Sequence, residues 1–312
     1  MDAADPAAIP RAARVLQSGR LVAFPTETVY GLGADATQDQ AAASIYAAKG
    51  RPDFNPLIVH VPDVATGRKY VQFNDLADQL ADAFWPGAMT LVLPRLTECP
   101  VSSLCSAGLP TLAIRVPASP MARDLLRATD RPVAAPSANR SGRLSPTTAR
   151  HVADSLGDRV DMILDGGTCP VGLESTVVGF HDGAAVLLRP GGISAEQLSD
   201  VVGPLTIAGA DQPDAPQSPG MLTSHYAPRH AIRLNVTDPR PEEALLAFGP
   251  DAPTHAAANL SPAGDTTEAA ANLFQMLHDL DALGRPIAVM PVPETGLGQA
   301  INDRLRRAAA PR

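Results

Sequence analysis

Phe24-Pro-Thr-Glu-Thr-Val-Tyr-Gly-Leu-Gly33 and Lys49-Gly-Arg-Pro-Asp-Phe-Asn-Pro-Leu-Ile-Val-His60 are two blocks of polar residues and glycine on either side of one alanine-rich segment. The first block follows the apolar run 21–24, and the second contains the apolar run 57–61. Both runs are predicted strands, so the polar side chains fall where strands end and the chain turns. Because function concentrates in loops that a rigid scaffold holds, the two blocks predict an α/β fold with an anion-binding site in its loops.

Several familiar nucleotide and catalytic motifs do not fit this sequence. Neither lysine, Lys49 or Lys69, stands in the Gly-x-x-x-x-Gly-Lys-Ser/Thr pattern of a P-loop. The pattern Gly31-x-Gly33-x-x-Ala36 imitates a dinucleotide fingerprint, but six residues separate it from Phe24 and that fingerprint needs a tight turn. There is no Gly-x-Ser-x-Gly elbow. The histidines and cysteines lack metal-ligand spacing, so no protein metal site is predicted.

The remaining polar clusters also lie at predicted strand ends. Arg115 and Arg189 each end an apolar strand, Ser137 follows one, Ser175 precedes one, and Ser145-Pro-Thr-Thr is interpreted as the N-cap of a helix over 146–156. Forked guanidinium groups and helix N-termini bind oxyanions. Taken singly, these residues are typical of surface salt bridges, turns and caps. Their repeated placement at strand ends favours a shared phosphate or carboxylate site.

Eight motifs, in the same order, resemble the YrdC-like threonylcarbamoyl-AMP synthases over residues 10–200. They are Pro25-Thr-Glu-Thr-Val-Tyr-Gly31, Lys49-x-Arg-Pro-x-x-Asn-Pro-Leu-x-x-His60, Trp85-Pro-Gly-x-x-Thr90, Arg115-x-Pro117, Ala135-Pro-Ser-Ala-Asn139, Ser145-Pro-Thr147, Glu174-Ser-Thr176 and Arg189-Pro-Gly191. Three later segments are similar to the long two-domain form: Pro219-Gly-Met221, His225-Tyr-Ala-Pro228 and Gly296-Leu-Gly-x-Ala-Ile301. Leu222-Thr-Ser departs from the basic and aromatic residues usual there.

The resemblance implies a twisted mixed sheet that encloses a concave basin, plus a small C-terminal Rossmann-like α/β domain. We expect a catalytic domain over 1–208, a linker or lid over 209–229 and a C-terminal domain over 230–312. Strands near 230–236, 255–260 and 287–290 and a helix over 266–283 are predicted for the last domain. Tyr226 either closes over a nucleotide, with Pro219-Gly220 as a hinge, or packs between the domains.

The activity that the resemblance implies is L-threonylcarbamoyladenylate synthesis, a nucleotidyltransferase reaction. L-threonine, bicarbonate and ATP form threonylcarbamoyl-AMP and pyrophosphate, with Mg²⁺ on the polyphosphate, and the product serves the threonylcarbamoyladenosine modification of tRNA. The expected partners are these small molecules and, transiently, the tRNA threonylcarbamoyl-transfer machinery. No protein nucleophile is needed, because alignment and charge stabilisation drive such a transfer.

The resemblance also implies roles for individual residues. The predicted catalytic residues are Lys49 and Arg51. The predicted ATP-binding residues are Arg51, Asn55, Thr111, Ala135, Ser137, Asn139, Ser145, Arg189 and Tyr226. The predicted threonine-binding residues are Thr26, His60, Arg115 and Ser175. Glu27 and Glu174 either orient donors or are structural. Lys49 and Arg51 lie outside any apolar stripe, so we expect their replacement to cost little stability.

Composition agrees with an enzyme of two domains. The chain has 312 residues, 45% of them apolar, and a net charge of −8. The alternative, a non-catalytic RNA-binding module that uses the same basin, is disfavoured by this acidic balance. No 18-residue apolar run exists, and the first residues lack the basic start and apolar core of a signal peptide. We therefore expect a cytoplasmic protein without a membrane contact, whose three cysteines are reduced.

Overall fold

The computed structural model describes residues 5–52, 54–208 and 225–311. Its helices are α1 Ala8–Gln17, α2 Asp39–Lys49, α3 Val64–Gly67, α4 Asp75–Phe84, α5 Pro120–Thr129, α6 Ala149–Leu156, α7 Ala195–Val202, α8 Thr266–Ala282 and α9 Gly298–Ala309. Its strands are β1 Val22–Pro25, β2 Tyr30–Asp35, β3 Ile58–His60, β4 Met89–Pro94, β5 Thr111–Arg115, β6 Val133–Ala134, β7 Met162–Ile163, β8 Thr176–His181, β9 Ala184–Arg189, β10 Thr206–Ile207, β11 Ile232–Arg233, β12 Ala244–Ala247, β13 Ala258–Asn259 and β14 Ile287–Val289.

The first ten strands form one twisted mixed sheet, which confirms the predicted fold class. Their order is β10-β9-β8-β4-β5-β3-β6-β2-β1-β7. Neighbours such as β3 and β5 are parallel, whereas β4 and β5 are antiparallel. The main apolar core includes buried residues of β4 and β5 and of α2 and α4. A separate small cluster, formed by Ile58, Val92, Ala113 and Val177, packs on the sheet apart from that core.

The first polar block contains a hairpin that the sequence analysis treated as a loop. β1 pairs antiparallel with β2, with Phe24 opposite Gly31. Thr26 closes the turn, because its Oγ1 donates to the carbonyl oxygen of Val29 at 2.7 Å. Gly33 allows the hairpin to pack, since a Cβ at this position would lie 2.8 Å from the ring of Phe24. The predicted turn after Phe24 is present at 26–29, but the loop expected beyond it is strand β2 from Tyr30 onwards.

The predicted N-cap at Ser145 is also wrong. Helix α6 begins at Ala149, and its N-cap is Thr148, whose side chain accepts from the backbone N–H of His151. The hydroxyl of Ser145 instead donates to the Glu174 carboxylate. Ser145 is completely buried. The long-range partner explains why a local capping pattern assigned it the wrong contact.

The C-terminal sheet is parallel, in the order β11-β14-β12-β13. Helix α8 buries the predicted apolar stripe, which includes Leu273, Phe274 and Leu277. Strand β12 and helix α9 were not predicted. No helix within the described ranges is long and apolar enough to span a membrane.

The two domains pack against each other through a shared apolar core. The core of the C-terminal domain includes Leu144 and Leu173 from the first domain. The backbones approach closely at Gly172, where a Cβ would lie 2.5 Å from the carbonyl oxygen of Ala270. The C-terminal domain is thus packed against the segment that leads into β8.

Candidate functional site

A cavity on the basin side of the large sheet gathers most of the predicted site residues. It encloses about 520 Å³ of empty space, part of it open to solvent. Nine predicted residues line it: Thr26, Arg51, His60, Arg115, Ala135, Ser137, Ser175, Arg189 and Tyr226. Their convergence comes from strand ends that are distant in sequence and adjacent in the sheet.

Five predicted residues are not among those that line this cavity: Lys49, Asn55, Thr111, Asn139 and Ser145. Thr111 lies at the start of β5, whereas Arg115 ends that strand. Side chains four residues apart in a strand share one face and are separated by roughly 13 Å. Thr111 lines a neighbouring groove with Val92 and Leu188. It therefore belongs to the same concave face, farther from the arginines.

Arg115 lines the cavity and is held rigidly by its hydrogen bonds. Its Nε donates to the carbonyl oxygen of Gly87 at 3.1 Å, its Nη1 donates to Oγ1 of Thr28 at 2.9 Å, and its Nη2 donates to the Glu27 carboxylate. The other oxygen of Glu27 accepts from the backbone N–H of Ala118 at 2.9 Å. Burial raises the pKa of Glu27, but the charge and hydrogen bond of Arg115 outweigh it and the net pKa is lowered. A guanidinium carries five N–H groups, and these contacts use three.

His60 lies beside Arg115, because the two are paired in register between β3 and β5. Burial, reinforced by the charge of Arg115, lowers the pKa of His60 to about 3. The imidazole is therefore neutral at physiological pH. Its Nδ1 has no hydrogen-bond partner within the part of the chain that the structure describes. A buried ring nitrogen without a partner is rare in proteins and is expected where a ligand supplies the missing hydrogen bond.

Ser175 connects two other motifs to the cavity. Its Oγ lies 2.7 Å from Oγ1 of Thr90, and its carbonyl oxygen accepts from Nη2 of Arg189 at 2.8 Å. Thr90 pairs in register with Val177 on the parallel strand β8. The Trp85-Pro-Gly-x-x-Thr90 motif thus serves the site indirectly, through the orientation of Ser175.

Arg51 enters the cavity just after helix α2. Gly50 ends the helix in the left-handed conformation, with φ of 60°. The guanidinium of Arg51 then donates to the carbonyl oxygens of Asn55 at 3.2 Å and Pro56 at 2.8 Å. Burial lowers the pKa of Arg51 to about 10, so the side chain stays charged. Both polar atoms of the buried Asn55 side chain lack a partner among the described residues.

Lys49 corrects an expectation from the sequence. The side chain is buried, and its Nζ donates to the carbonyl oxygens of Ser137 and Asn139, both at 2.6 Å. Burial, followed by the charge of Arg51, lowers the pKa of Lys49 well below its usual value. The expected small stability cost rested on a comparison with exposed positions, and that comparison is wrong because Lys49 and Arg51 are both buried. The predicted catalytic roles of the two residues stay predictions.

Asn139 shapes the loop after β6. Its Nδ2 donates to the carbonyl oxygens of Arg140 at 2.9 Å and Arg143 at 2.8 Å. Its Oδ1 has no partner within the described ranges. Together with Lys49, this amide holds the loop that presents Ser137 to the cavity.

His225 and Tyr226 complete the wall where the chain returns from the linker. Tyr226 is buried, lines the cavity and also packs on Phe274 of α8, with ring centres 5.7 Å apart. It therefore lies between the domains and faces the cavity at the same time. The proposed Pro219-Gly220 hinge lies outside the described residues.

The electrostatic character of this wall is cationic. The pKa of His225 lies well below its usual value because of burial first and four neighbouring cations second. In order of effect the cations are Arg51, Lys49, Arg304 and Arg189. Such a concentration of buried positive charge favours an anionic ligand.

Some residues of the site were missed or left undecided by sequence reasoning. Thr28, Glu174 and His225 line the cavity. Thr28 lies inside the quoted first block, and Glu174 had been considered either an orienting or a structural group. His225 belongs to a quoted family motif, but no role had been assigned to it.

The fold and the cavity define a class of protein: a mixed α/β domain whose basin combines an arginine fork with a cationic wall and so favours anionic ligands. A family model described as Telomere recombination matches residues 14–191, and one described as Threonylcarbamoyl-AMP synthase, C-terminal domain, matches residues 193–310. The chain belongs to the threonylcarbamoyl-AMP synthase family.

Relatives in other organisms match nearly the whole chain. The threonylcarbamoyl-AMP synthase of Bacillus subtilis is 41% identical and the match covers 97% of this chain and 93% of the relative. That of Pyrococcus abyssi is 40% identical, with 96% and 93% covered. The crystal structure of P. abyssi Sua5 complexed with L-threonine superposes with a TM-score of 0.89 at 38% identity, over 96% of this chain and 94% of that one.

Proposed function

We propose that this protein is an L-threonylcarbamoyladenylate synthase, which forms threonylcarbamoyl-AMP and pyrophosphate from L-threonine, bicarbonate and ATP. One observation carries the proposal. A single cavity is lined by the Arg115 fork, whose charge acts on His60, and by the buried Arg51 and Arg189, whose charges act on each other. The first group suits an amino-acid carboxylate and the second suits phosphates. Family membership supports the same reaction.

The proposed reaction needs no protein nucleophile. The neutral amine of threonine forms a bond to the carbon of bicarbonate and gives up a proton, so that the carbamate forms and water leaves. One carbamate oxygen then attacks the α-phosphorus of ATP. The bond between that phosphorus and the oxygen bridging to the β-phosphate breaks, and pyrophosphate leaves with the electron pair. Catalysis then depends on alignment of the two substrates and on donors that stabilise charge on the phosphates.

At the amino-acid end, we assign the threonine carboxylate to Arg115. The three hydrogen bonds from Arg115 to Gly87, Thr28 and Glu27 hold the guanidinium in one orientation, so little ordering remains when the ligand binds. Neutral His60, together with Thr26 and Ser175, is assigned to the rest of threonine. Serine lacks the methyl group, and we expect it to be used less well by about 10-fold or more.

At the phosphate end, Arg51 and Arg189 are assigned to the polyphosphate. Both are buried, and the charge of Arg189 contributes to the lowered pKa of Arg51. A polyanion between them relieves that repulsion. Asn55, Ser137, Asn139, Ser145, Ala135, Thr111 and Tyr226 are assigned to the nucleotide, and Lys49 to support of the loop beneath it.

Mg²⁺ is proposed to accompany ATP. Glu174, which lines the cavity, and Glu27, which lies behind Arg115, are each paired with an arginine. No group of three His, Cys, Asp or Glu side chains suited to a metal occurs in the described ranges. The donors present fit an ion held by nucleotide oxygens and water, the usual mode for Mg²⁺. When bound, the ion would offset phosphate charge.

The wider role follows from the product. We propose that the threonylcarbamoyl group is passed on to tRNA adenosine by a separate transfer machinery in the cytoplasm. The contact with that machinery is proposed to be transient.

The test is ATP-dependent pyrophosphate release, with the adenylate identified by mass spectrometry. We expect release to require threonine and bicarbonate together. Equal release without threonine contradicts the proposal. Tight RNA binding without nucleotide turnover favours the RNA-binding alternative instead.

A further inference from the structure

One residue of the C-terminal domain contacts two residues of the cavity wall. Arg304 lies on α9 and is only 1% exposed. Its Nε donates to Oε2 of Glu174 at 2.7 Å, and its guanidinium carbon lies 5.0 Å from the centre of the Tyr226 ring. Arg304 is not among the residues that line the cavity. It therefore supports the wall from behind.

The same guanidinium also holds a third segment. Its Nη2 donates to the carbonyl oxygen of Pro190 at 3.0 Å, directly after Arg189. Its Nη1 donates to Oδ2 of Asp303 at 2.6 Å, and Asp303 accepts from Arg307 on the same helix. The fork is thus anchored on α9 and bonded to two acceptors of the catalytic domain.

These acceptors belong to one packed unit around the phosphate end. The second carboxylate oxygen of Glu174 accepts from Ser145. The loop after Arg189 touches the backbone of the same segment, since a Cβ on Gly191 would lie 2.4 Å from the carbonyl oxygen of Glu174. Nη2 of Arg189 donates to the carbonyl oxygen of Ser175. A shift of the guanidinium of Arg304 would therefore move several parts of the wall together.

We propose that Arg304 is a positioning residue for synthesis: the C-terminal domain uses it to hold the Glu174 segment, the Arg189 segment and the Tyr226 ring in the arrangement that binds ATP. The inference rests on the proposed function, and it assigns that domain a part in the site. A planar fork can bond to several partners at set angles, whereas the lysine ammonium is a point charge. The contact is therefore specific to arginine.

The position of Arg304 also predicts which substrate is affected. Outside its own helix, its contacts with described residues lie on Glu174, Pro190 and Tyr226, and not on the Arg115 fork. Loss of Arg304 is expected to impair ATP use more than threonine binding. A residue that merely joins the domains would alter stability and leave both kinetic constants for ATP unchanged.

Four variants test this in the full chain. Arg304→Met removes the charge and the fork, and Arg304→Lys keeps the charge alone. The double variant Glu174→Gln, Arg304→Met avoids an unpaired buried carboxylate. Arg306→Ala is the matched control, because Arg306 lies on the same helix, is 58% exposed and pairs at the surface with Glu294. Each is assayed for folding by circular dichroism, for kcat and KM by pyrophosphate release, and for binding of AMPPNP and threonine by calorimetry.

We expect folded Arg304→Met and the double variant to lose about 100-fold in kcat/KM for ATP, the loss that a small misplacement of binding groups produces. Arg304→Lys is expected to lose about 10-fold, because it keeps the Glu174 pair without the fork. Arg306→Ala stays within about twofold of wild type, as a surface change does. Threonine affinity is expected to change less than ATP affinity in the three variants that replace Arg304, and to stay at the wild-type value in Arg306→Ala.

Wild-type kcat and KM for ATP in either folded neutral variant overturn the proposal. If neither neutral variant folds, Arg304→Lys decides: a loss of about 10-fold supports positioning by the fork, and wild-type kinetics reject it. If wild-type protein releases no pyrophosphate in response to threonine, the proposed function fails. The affinity for AMPPNP then tests the positioning role of Arg304 separately. Weaker AMPPNP binding in the Arg304 variants supports that role, and binding equal to wild type rejects it.

Discussion

Replacement of Glu27 by glutamine isolates the support behind the arginine fork. The carboxylate is buried, pairs with Arg115 and accepts from the backbone N–H groups of Ala118 at 2.9 Å and Ser119 at 3.2 Å. Glutamine preserves the shape but removes the charge. Because one partner of a buried pair is lost, we expect the free energy of unfolding at pH 7 to fall by about 3 to 5 kcal/mol.

The pH dependence gives the sign of the effect. The folded-state pKa of Glu27 is lowered from 4.5, so the stabilisation is fully present above that value and is lost as the pH falls through the folded-state pKa. Glutamine does not titrate. We therefore expect the difference between wild type and Glu27→Gln to stay constant from neutral pH down to the ordinary pKa of 4.5, and to shrink as the pH falls below that value.

The assay is urea unfolding followed by the fluorescence of Trp85, the only tryptophan, which lies in the same domain. Glu98→Gln is the matched control, because Glu98 is exposed. With its support gone, the Arg115 fork is expected to bind threonine about 10-fold more weakly or worse. If the free energies of unfolding of Glu27→Gln and wild type differ by less than about 0.5 kcal/mol, or if their difference does not change with pH, the reasoning is refuted.

Three further predictions concern buried residues. Lys49→Ala is expected to lower the free energy of unfolding by about 2 to 5 kcal/mol, because it leaves a cavity and two carbonyl oxygens without a donor. The control Lys69→Ala, at an exposed position, is expected to change that free energy by less than about 0.5 kcal/mol. Equal urea midpoints for the two variants would contradict this prediction. Tyr226→Ala is expected to shorten the lifetime of the adenylate, because the ring lines the cavity and excludes water. The lifetime is measured by chromatography of quenched reactions, and an unchanged lifetime, synthesis rate and ATP affinity would reject the hypothesis that Tyr226 closes over the nucleotide. Burial, followed by the charge of the stacked His278, lowers the pKa of His151 to about 4. Between pH 6.5 and about pH 4 the unfolded chain therefore binds more protons than the folded chain, so the free energy of unfolding is expected to fall as the pH is lowered through this range. Thermal melts of His151→Phe should show a shallower pH dependence in that range, and an unchanged slope counts against this cause.

Local patterns in the sequence were sufficient for much of the fold. Apolar runs predicted strands such as β3 and β5, and a period of 3.6 predicted the buried face of α8. The hairpin strand β2 was missed because its glycines and its polar neighbours are typical of a loop. Helix α9 was missed because its start had been assigned to a short motif.

The candidate residues were recognisable because most of their motifs stand next to a predicted strand, and because the family's motifs occur here in order. Which of them share a cavity depends on strand order, since β3, β5 and β8 come from distant parts of the chain. Thr111 illustrates the limit: the predicted strand already placed it at the other end from Arg115, but only the structure shows that it lines a neighbouring groove and not the cavity.

The sequence by itself determined the family, the residue types available for an amino acid and phosphates, and most of the secondary structure. Only the tertiary structure decided that Lys49 is buried, that Glu27 supports Arg115 across 88 residues, and that Arg304 reaches Glu174 across 130 residues. The physical reason is that secondary structure follows from neighbours in the chain, whereas desolvation and charge pairing depend on groups that only folding brings together.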